Sequence, residues 1–282
     1  MKEKIGIITD STCDIPREFL NKLGIKVLPL RIVYQEREYR DGVDITAEAV
    51  YAHLEQEVPT TSLPSPQDAE SLLLSMKEQG YTHVLVIHLS SGLSGTGQMI
   101  ETVAEQIDGM TVKVIDSKSI SMGLGFIVME AARAVQAKMN FEAVCNLVSS
   151  VRDRLSVYFV LSTLEYLKKG GRIGKVSGTI GELLQLKPII TVNKEGIYTT
   201  FAKVRGKKQA LDRLVGIAKE HISKATNQIA VCYGGAQEEA AYIIKQIGQL
   251  ANVKELITSS VSPVIGVHTG PGTVGFAVLE SN

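Results

Sequence analysis

Short apolar runs alternate with segments of helical periodicity along the first half of the chain. The runs "KIGIITD", "THVLVIHL" and "MTVKVIDS" predict strands, and "IKVLPLRIVY" predicts extended chain. Helices are predicted at "IPREFLNKLG", residues 46–56, 66–79, 94–107 and 119–138, and at "FEAVCNLVSSVRDRL". This order of strands and helices predicts a parallel sheet with helices on both faces.

The pattern changes near residue 155. "SVYFVLST" and "LKPIITVNKEGIYTTFAKV" predict strands, and the second contains a hairpin-turn signal at residues 194–196. Helices are expected over about residues 207–223 and 236–250, and further strands at "QIAVCYGG", "VKELITSSV" and "TVGFAVLES". We therefore predict an α/β protein of two domains. Residues 1–155 form a parallel-sheet domain, and residues 156–282 form an α+β domain with a mixed sheet.

Charge and hydropathy narrow the classes of partner. Lys plus Arg equals Asp plus Glu, 30 against 30 in 282 residues, which argues against nucleic acid as the main partner. No apolar stretch reaches the roughly 18 residues of a membrane span, so no stable membrane insertion is expected. The chain enters its first strand at once, from which we expect no signal peptide. Three scattered cysteines make no metal spacing and suit the cytoplasm, as small buried hydrophobic residues.

Polar residues follow three strands of the predicted parallel sheet. In an open parallel sheet, ligands bind beyond the carboxyl ends of the strands. The alternative is that these residues cap helices, where Ser, Thr and Asp are favoured. The three clusters are Asp10, Ser11 and Thr12; His88, Ser90 and Ser91; and Asp116, Ser117 and Ser119.

The stretch "HLSSGLSGTGQ", residues 88–98, is rich in hydroxyls and glycine, but it is not a nucleotide or nucleophile motif. Gly92 and Gly97 have P-loop spacing, yet Gln98 and Met99 stand where a lysine and a hydroxyl are required. "GLSGT" also misses the nucleophile-elbow pattern G-x-S-x-G, because Thr96 replaces the last glycine.

Other catalytic signals are equally weak. "GPGTVG", residues 270–275, matches G-x-G-x-x-G but lacks the following helix and strand, so we expect a tight turn into the last strand. None of the five histidines shows the context of a serine triad, and no spacing indicates a metal or cofactor site.

A second hydroxyl-rich segment, "PTTSLPSP" at residues 59–66, is better suited to binding than to catalysis. Pro59 and Pro64 restrict the backbone around Thr60, Thr61 and Ser62. Together with Ser91 and Ser94, these hydroxyls could hold a small anion through neutral donors and backbone N–H groups at a helix start. Thr61 and Ser94 are both expected in loops.

Three basic or titratable residues stand among glycines. They are Arg172 in "KKGGRIGKVSG", Arg205 in "AKVRGKK" and His268 in "IGVHTGPG". All three are expected in polar loops. The alternative to a functional role is a solvated charge for each arginine and an ordinary polar loop residue for His268.

Taken together, eight stretches resemble the DegV family of bacterial fatty-acid-binding proteins. The likeness runs over essentially the whole chain, in order: "IGIITDST", "PTTSLPSP", "LSSGLSGTGQ", "VIDSKSISMGLG", "LSTLEYLKKGGRIG", "LLQLKPII", "KVRGKKQAL" and "GPGTVGFAV". The resemblance implies a three-layer α/β/α domain with a parallel sheet and a smaller two-layer α/β domain with a mixed sheet. It also implies a long-chain fatty acid such as palmitate between them, presented to a separate fatty acid kinase subunit. That kinase makes the acyl phosphate for phospholipid metabolism.

The family's functional residues map onto matching motifs. The resemblance assigns the fatty-acid carboxylate to Thr61 and Ser94, with Ser62 and Ser91 as neighbours. It assigns phosphate or partner contact to Arg172, Arg205 and His268. One departure is Gly97, which stands where the family commonly has an aromatic residue.

Burial of a long fatty-acid tail in a protein is favourable in free energy. Each buried CH₂ contributes about 0.8 kcal/mol, so a C16 tail contributes on the order of 10 kcal/mol before ordering costs.

Three alternatives stay open on the sequence: a small-molecule kinase or phosphotransferase subunit, a serine acyl hydrolase using Ser94, and a regulatory or interaction protein without a ligand.

Overall fold

The computed structural model describes residues 3–176 and 186–281. Its first part contains β1 (Ile5–Asp10), a 3-10 helix (Ser11–Cys13), α1 (Arg17–Leu23), β2 (Lys26–Leu28), β3 (Arg31–Val33), β4 (Glu38–Arg40), α2 (Ala47–His53), β5 (Thr60–Ser62), α3 (Pro66–Glu78), β6 (His83–His88), α4 (Thr96–Ala104), β7 (Thr111–Asp116), α5 (Met122–Gln136) and α6 (Phe141–Asp153). Its second part contains β8 (Leu155–Val160), α7 (Glu165–Lys169), β9 (Leu186–Val192), β10 (Tyr198–Arg205), α8 (Lys207–Lys224), β11 (Asn227–Gly234), α9 (Gln237–Ile247), β12 (Val253–Ser260), α10 (Pro263–Thr269) and β13 (Thr273–Glu280).

The first domain is a three-layer α/β/α structure, as predicted. Its sheet has the order β2-β1-β6-β7, and every pairing in it is parallel. Helices α3 and α4 cover one face with residues such as Leu73 and Ile100. Helices α1, α5 and α6 cover the other face, against Ile7, Leu85 and Ile87. The strands are apolar on both faces because helices bury both of them.

The second domain has two layers around a mixed sheet, also as predicted. The order is β10-β9-β8-β13-β11-β12, antiparallel throughout except for the parallel pair β11–β12. Helices α8 and α9 cover one face. The hairpin turn predicted at residues 194–196 joins β9 to β10. The stretch "LLQLKPII" begins outside the described residues.

Helix α5 lies between the two sheets. Its side chains pack both on the parallel sheet and on β8 and β13 of the mixed sheet, within one continuous core. Leu124, Phe126 and Ile127 are fully buried. A helix that is apolar all round must be covered all round. The two domains therefore share a core, and the boundary at residues 155/156 stays a prediction. Within the described ranges, no helix is long and apolar enough to cross a membrane.

A small antiparallel sheet, β4-β3-β5, and helix α10 are elements that the sequence patterns did not predict. The sheet packs with α2 and α10 through Ile32, Val50, Val264 and Val267. Thr61 consequently lies in a strand, and His268 in a helix, so the prediction of loops at both positions was wrong. The Ser-Pro pair at the start of α10 was the available signal, since Ser262 is the N-cap and Pro263 the first helical residue.

Three buried aspartates join the strand ends to the helices around them. Asp10 accepts hydrogen bonds from the backbone N–H of Thr12 and Leu89. Asp14 accepts from the Ser121 hydroxyl at 2.5 Å and from the Ser262 N–H at 2.8 Å. Asp41 accepts from the Val264 N–H at 2.9 Å. These bonds tie β1 to β6, α5 and α10.

Burial makes these carboxyl groups weak acids. Loss of hydration, with a smaller repulsion from Asp41, raises the pKa of Asp14 to about 8. Burial likewise raises the pKa of Asp41 to about 7 and that of Asp10 above its ordinary value. The titratable groups that interact with Asp14 include Cys13, Asp41, Tyr51, Tyr198 and Cys232.

Asp14→Asn should change how stability depends on pH. Between about pH 4 and 8 the unfolded chain loses the Asp14 proton while the folded chain keeps it, so the contribution of Asp14 to stability falls as pH rises. Asparagine has no such proton. Its stability relative to wild type should therefore improve with rising pH, by up to about 1.4 kcal/mol per pH unit, in urea unfolding series at several pH values.

Asp44→Asn is the matched control. Hydrogen bonds and charge from Arg40 lower the pKa of the Asp44 carboxyl to about 2, so it titrates below this window. An Asp14→Asn variant with the wild-type slope between pH 5 and 8 would contradict a raised pKa at Asp14.

Candidate ligand-binding site

A cavity of about 170 Å³ opens where the carboxyl ends of β1 and β6 meet β5, α10 and the segment after α7. Its polar side chains come from five separate parts of the chain, which explains why no single motif defines it. They are Thr12, Thr61, Ser62, Ser94, Arg172, His268 and Thr269.

Thr61 and His268 form the centre of the polar wall. Thr61 lies in β5 and pairs with Ile32 of β3, which fixes its side-chain direction. Its Oγ1 is 2.7 Å from Nε2 of His268 in the last turn of α10, although 207 residues separate them in the chain. His268 therefore lies beside Thr61 in the cavity wall and not in a solvated loop.

His268 is uncharged at neutral pH. Burial, with a smaller contribution from the positive charge of Arg172, lowers its pKa to about 4. Its Nδ1 is buried without a hydrogen-bond partner among the described residues. A neutral imidazole can donate one hydrogen bond, so the site offers a bound anion a donor without a full positive charge.

Ser94 lies just before α4. Its Oγ is 2.9 Å from the Thr96 hydroxyl. Gly95 is the N-cap of α4 and provides no side-chain cap. The start of this helix, with its positive end of the helix dipole, thus faces the cavity beside a hydroxyl, which favours an anionic group.

Gly92 and Gly97 serve close packing. A Cβ at Gly92 would lie 2.9 Å from the carbonyl oxygen of Gly196, in the turn between β9 and β10. A Cβ at Gly97 would overlap the ring of buried His88. The hairpin of the second domain docks on the loop of the first at Gly92, and His88 occupies the space that an aromatic residue at position 97 would need.

Arg172 closes another side of the cavity and is half-buried. Its guanidinium donates to the carbonyl oxygen of Gly170 at 2.7 Å and to that of Leu93 at 3.2 Å. These bonds fix the side chain across the gap between the domains. They also leave part of its fork of donors for a ligand.

A second, apolar cavity of about 40 Å³ adjoins the first. The two share Ile120, Tyr198, Ile265 and Thr269 as wall residues. The inner cavity lies between the start of α5 and the mixed sheet, lined by residues such as Met122, Val157, Phe159, Val261 and Ala277. A polar outer cavity that leads into an apolar inner one matches an amphiphile, with its polar end outward.

Two predicted residues lie outside this cavity. Ser91 is exposed, and its hydroxyl forms a hydrogen bond with Asp116. Arg205 is the last residue of β10, so the prediction of a loop at this position was wrong; its side chain is exposed and lines neither cavity. Neither residue contributes to the cavity wall.

The three polar clusters at the strand ends do come together, but their side chains mainly form hydrogen bonds that stabilise the fold. Asp10 caps the 3-10 helix, and Ser90 N–H donates to the carbonyl oxygen of Ser119 at 2.8 Å. Ser117 hydrogen-bonds to Ser119. Of these residues, only Thr12 lines the outer cavity. The helix-capping alternative is thus correct for Asp10.

Several wall residues carry no signal in the sequence. Tyr198 of β10 and Ile265 of α10 line both cavities, and the arrival of two distant segments at one cavity has no local pattern. Within the described part of the chain, no group of three or more His, Cys, Asp or Glu side chains is arranged to hold a metal ion.

Comparison with known proteins agrees with this architecture. Residues 4–281 match the model of the DegV family, which is described as uncharacterised. A DegV domain-containing protein of Clostridium acetobutylicum is 44% identical over 278 residues, covering 99% of both chains. A DegV domain-containing protein of Listeria innocua is 34% identical over 278 residues, covering 98% of both.

Solved structures of fatty-acid-binding proteins have the same fold. A DegV family protein from Thermus thermophilus, described with fatty acid binding, is 33% identical with a TM-score of 0.93, covering 99% of this chain and 100% of that one. DegV from Bacillus subtilis, a fatty acid binding protein, is 30% identical with a TM-score of 0.91 and the same coverage. A stearic acid-binding protein from Eubacterium ventriosum is 28% identical with a TM-score of 0.90, covering 98% of both.

The match over nearly the whole chain and the shared two-domain fold lead to one conclusion: this chain belongs to the DegV family.

Proposed function

We propose that this protein binds one long-chain fatty acid, with its carboxylate in the outer cavity and its tail directed into the apolar core at the inner one. The observation that carries this proposal is that a hydroxyl-lined cavity and an apolar cavity adjoin and share wall residues between the two domains. The fatty-acid binding described for the Thermus and Bacillus relatives supports the same ligand class.

The carboxylate would be held by neutral donors. Thr61, Ser94 and His268 line one cavity, with Ser62 near them. A buried carboxylate without partners costs several kcal/mol, and hydrogen bonds from hydroxyl groups and imidazole offset that cost. Arg172 adds a positive charge whose guanidinium is partly engaged by two carbonyl oxygens. The head group is thus bound without a dedicated ion pair.

The finer part of the proposal is delivery. The protein would present the acid in the cytoplasm to a separate kinase, which makes the acyl phosphate for phospholipid metabolism. This delivery is supported by Arg172, which lines the outer cavity proposed for the head group, and by Arg205, an exposed positive charge in the second domain.

The Ser94 hydroxyl contacts Thr96. That contact supports a binding role for Ser94 over the acyl hydrolase alternative.

The natively purified protein should contain a long-chain fatty acid in about equimolar amount. Its tail is expected to contribute on the order of 10 kcal/mol before ordering costs, so the acid should survive purification. Solvent extraction followed by mass spectrometry measures it. Delipidated protein then serves for titration with palmitate and oleate.

An empty protein that also binds neither acid in titration would overturn the proposed function. ATP turnover by the protein alone would favour the kinase alternative. Labelling of Ser94 by a fluorophosphonate probe would favour the hydrolase alternative.

Thr61→Ala and Ser94→Ala should each weaken fatty-acid binding by about 1 to 3 kcal/mol, because each leaves a charged acceptor short of one donor. Calorimetric titration of delipidated protein with palmitate measures the change. Thr60→Ala is the matched control, since Thr60 is an exposed neighbour in β5 that lines neither cavity. Wild-type affinity in both Thr61→Ala and Ser94→Ala would remove these residues from the head-group site.

Arg205→Ala should slow acyl-phosphate formation by the cognate kinase about tenfold while fatty-acid affinity stays at the wild-type value. The exposed guanidinium at the end of β10 can bind phosphate or an acidic partner surface, at a strength of about 1.5 to 3 kcal/mol for a charged hydrogen bond. His268→Ala should impair both steps, since His268 contacts Thr61.

Two assays on each variant separate these roles: equilibrium binding of palmitate and the phosphorylation rate with the kinase. Arg37→Ala, at another exposed arginine, controls for general loss of positive charge. Wild-type rates in Arg205→Ala would leave Arg205 as a solvated charge.

A further inference from the structure

Helix α10 carries site residues along its length. Val264 and Ile265, near its start, and His268 and Thr269, near its end, all line the outer cavity. The helix has only seven residues, and isolated helices shorter than about 12 residues are marginal in water. Its position therefore depends on contacts from the rest of the protein.

The start of α10 is held by carboxyl groups from two distant segments. The N–H of the N-cap Ser262 donates to Oδ1 of Asp14 at 2.8 Å, and the Val264 N–H donates to Oδ1 of Asp41 at 2.9 Å. Pro263 between them has no N–H, and the Ser262 hydroxyl accepts from the Ile265 N–H at 3.5 Å. The N–H groups at the start of α10 are thus each satisfied by a side chain.

Asp14 is held through its carboxyl group and Asp41 through its main chain. Asp14 follows the 3-10 helix in a left-handed conformation, with φ of 50°, and its Oδ2 accepts from the Ser121 hydroxyl at 2.5 Å. Asp41 is buried, with 2% of its surface exposed, and its N–H donates to the carbonyl oxygen of Leu30 at 2.9 Å. The anchor points therefore belong to the parallel-sheet domain and the small sheet.

The opposite end of α10 presents His268 to Thr61. A helix rises 1.5 Å per residue, so the carboxyl caps lie roughly 8 Å along the helix axis from His268. A small rotation or shift at the capped end moves the imidazole away from the Thr61 hydroxyl, whose distance is 2.7 Å.

We infer that Asp14 and Asp41 are positioning residues for the head-group site: as paired caps they hold α10 so that His268 stays in hydrogen-bond contact with Thr61. This inference rests on the proposed function for its effect on fatty-acid binding. The effect on His268 itself holds whether or not the protein binds a lipid.

The test compares Asp41→Asn with Asp41→Ala in delipidated full-length protein. Asparagine keeps an oxygen that accepts from Val264 N–H, whereas alanine removes it. The first measurement is the pKa of His268 by NMR titration of its ring protons, assigned with a His268→Gln variant. Wild type should titrate near 4, because burial keeps the ring neutral.

Asp41→Ala should raise the pKa of His268 by about one unit or more, toward 6.5, as α10 shifts and the ring gains water. The same variant should bind palmitate about tenfold more weakly, the size of a lost helix cap. Asp41→Asn should stay near wild type in both measurements. Asp44→Ala, an exposed aspartate three residues away that pairs with Arg40, is the control and should change neither.

Asp14→Asn and Asp14→Ala give the same comparison at the other cap, so a variant that fails to fold at one position leaves the second. Wild-type values of both the His268 pKa and palmitate affinity in the alanine variants would overturn the inference. So would equal damage by asparagine and alanine, or loss of folding in both alanine variants. A wild-type protein that binds no fatty acid would overturn the proposed function, while the His268 titration would still decide the positioning role.

Discussion

Helix α5 is the element on which both the fold and the site depend. It is apolar on all sides, so each of the two sheets must cover part of it. Both sheets pack on it, and Ile120, just before its start, borders both cavities. The inner cavity is therefore a continuation of the shared core. An apolar chain placed there would replace contacts that core side chains make elsewhere, with the same gain from buried surface.

Local patterns predicted the long elements because period and length suffice for them. The strands β1, β6 and β7 and the helices α3, α5 and α8 all appear where apolar spacing placed them. Strand β5 and helix α10 were missed for a physical reason. A three-residue strand or a seven-residue helix has little stability of its own, and each exists through contacts with segments far away in the chain.

The same limit applies to the site. Asp10 is a polar residue beside a turn in the sequence, as Thr61 and Ser94 are. What separates them is the set of partners: Asp10 accepts hydrogen bonds from N–H groups of its own fold, whereas Thr61 contacts His268 in the wall of a cavity. Burial and partners come from tertiary structure, so composition can indicate a polar binding region without saying which hydroxyls line it. Of the seven residues that the family resemblance singled out, the fold places five around one cavity, namely Thr61, Ser62, Ser94, Arg172 and His268, and leaves Ser91 and Arg205 outside it.

The charges around this cavity favour a ligand that is held yet accessible. His268 is neutral because it is buried and near Arg172, and the Arg172 guanidinium is already bonded to the carbonyl oxygens of Gly170 and Leu93. A bound carboxylate would therefore meet hydroxyls and one partly engaged cation. Most of the binding energy then comes from the tail, by burial of apolar surface, and the polar end contributes mainly orientation. A head group held in this way can gain a phosphate without breaking a strong ion pair, which is the chemical requirement for a carrier whose ligand another protein modifies in place.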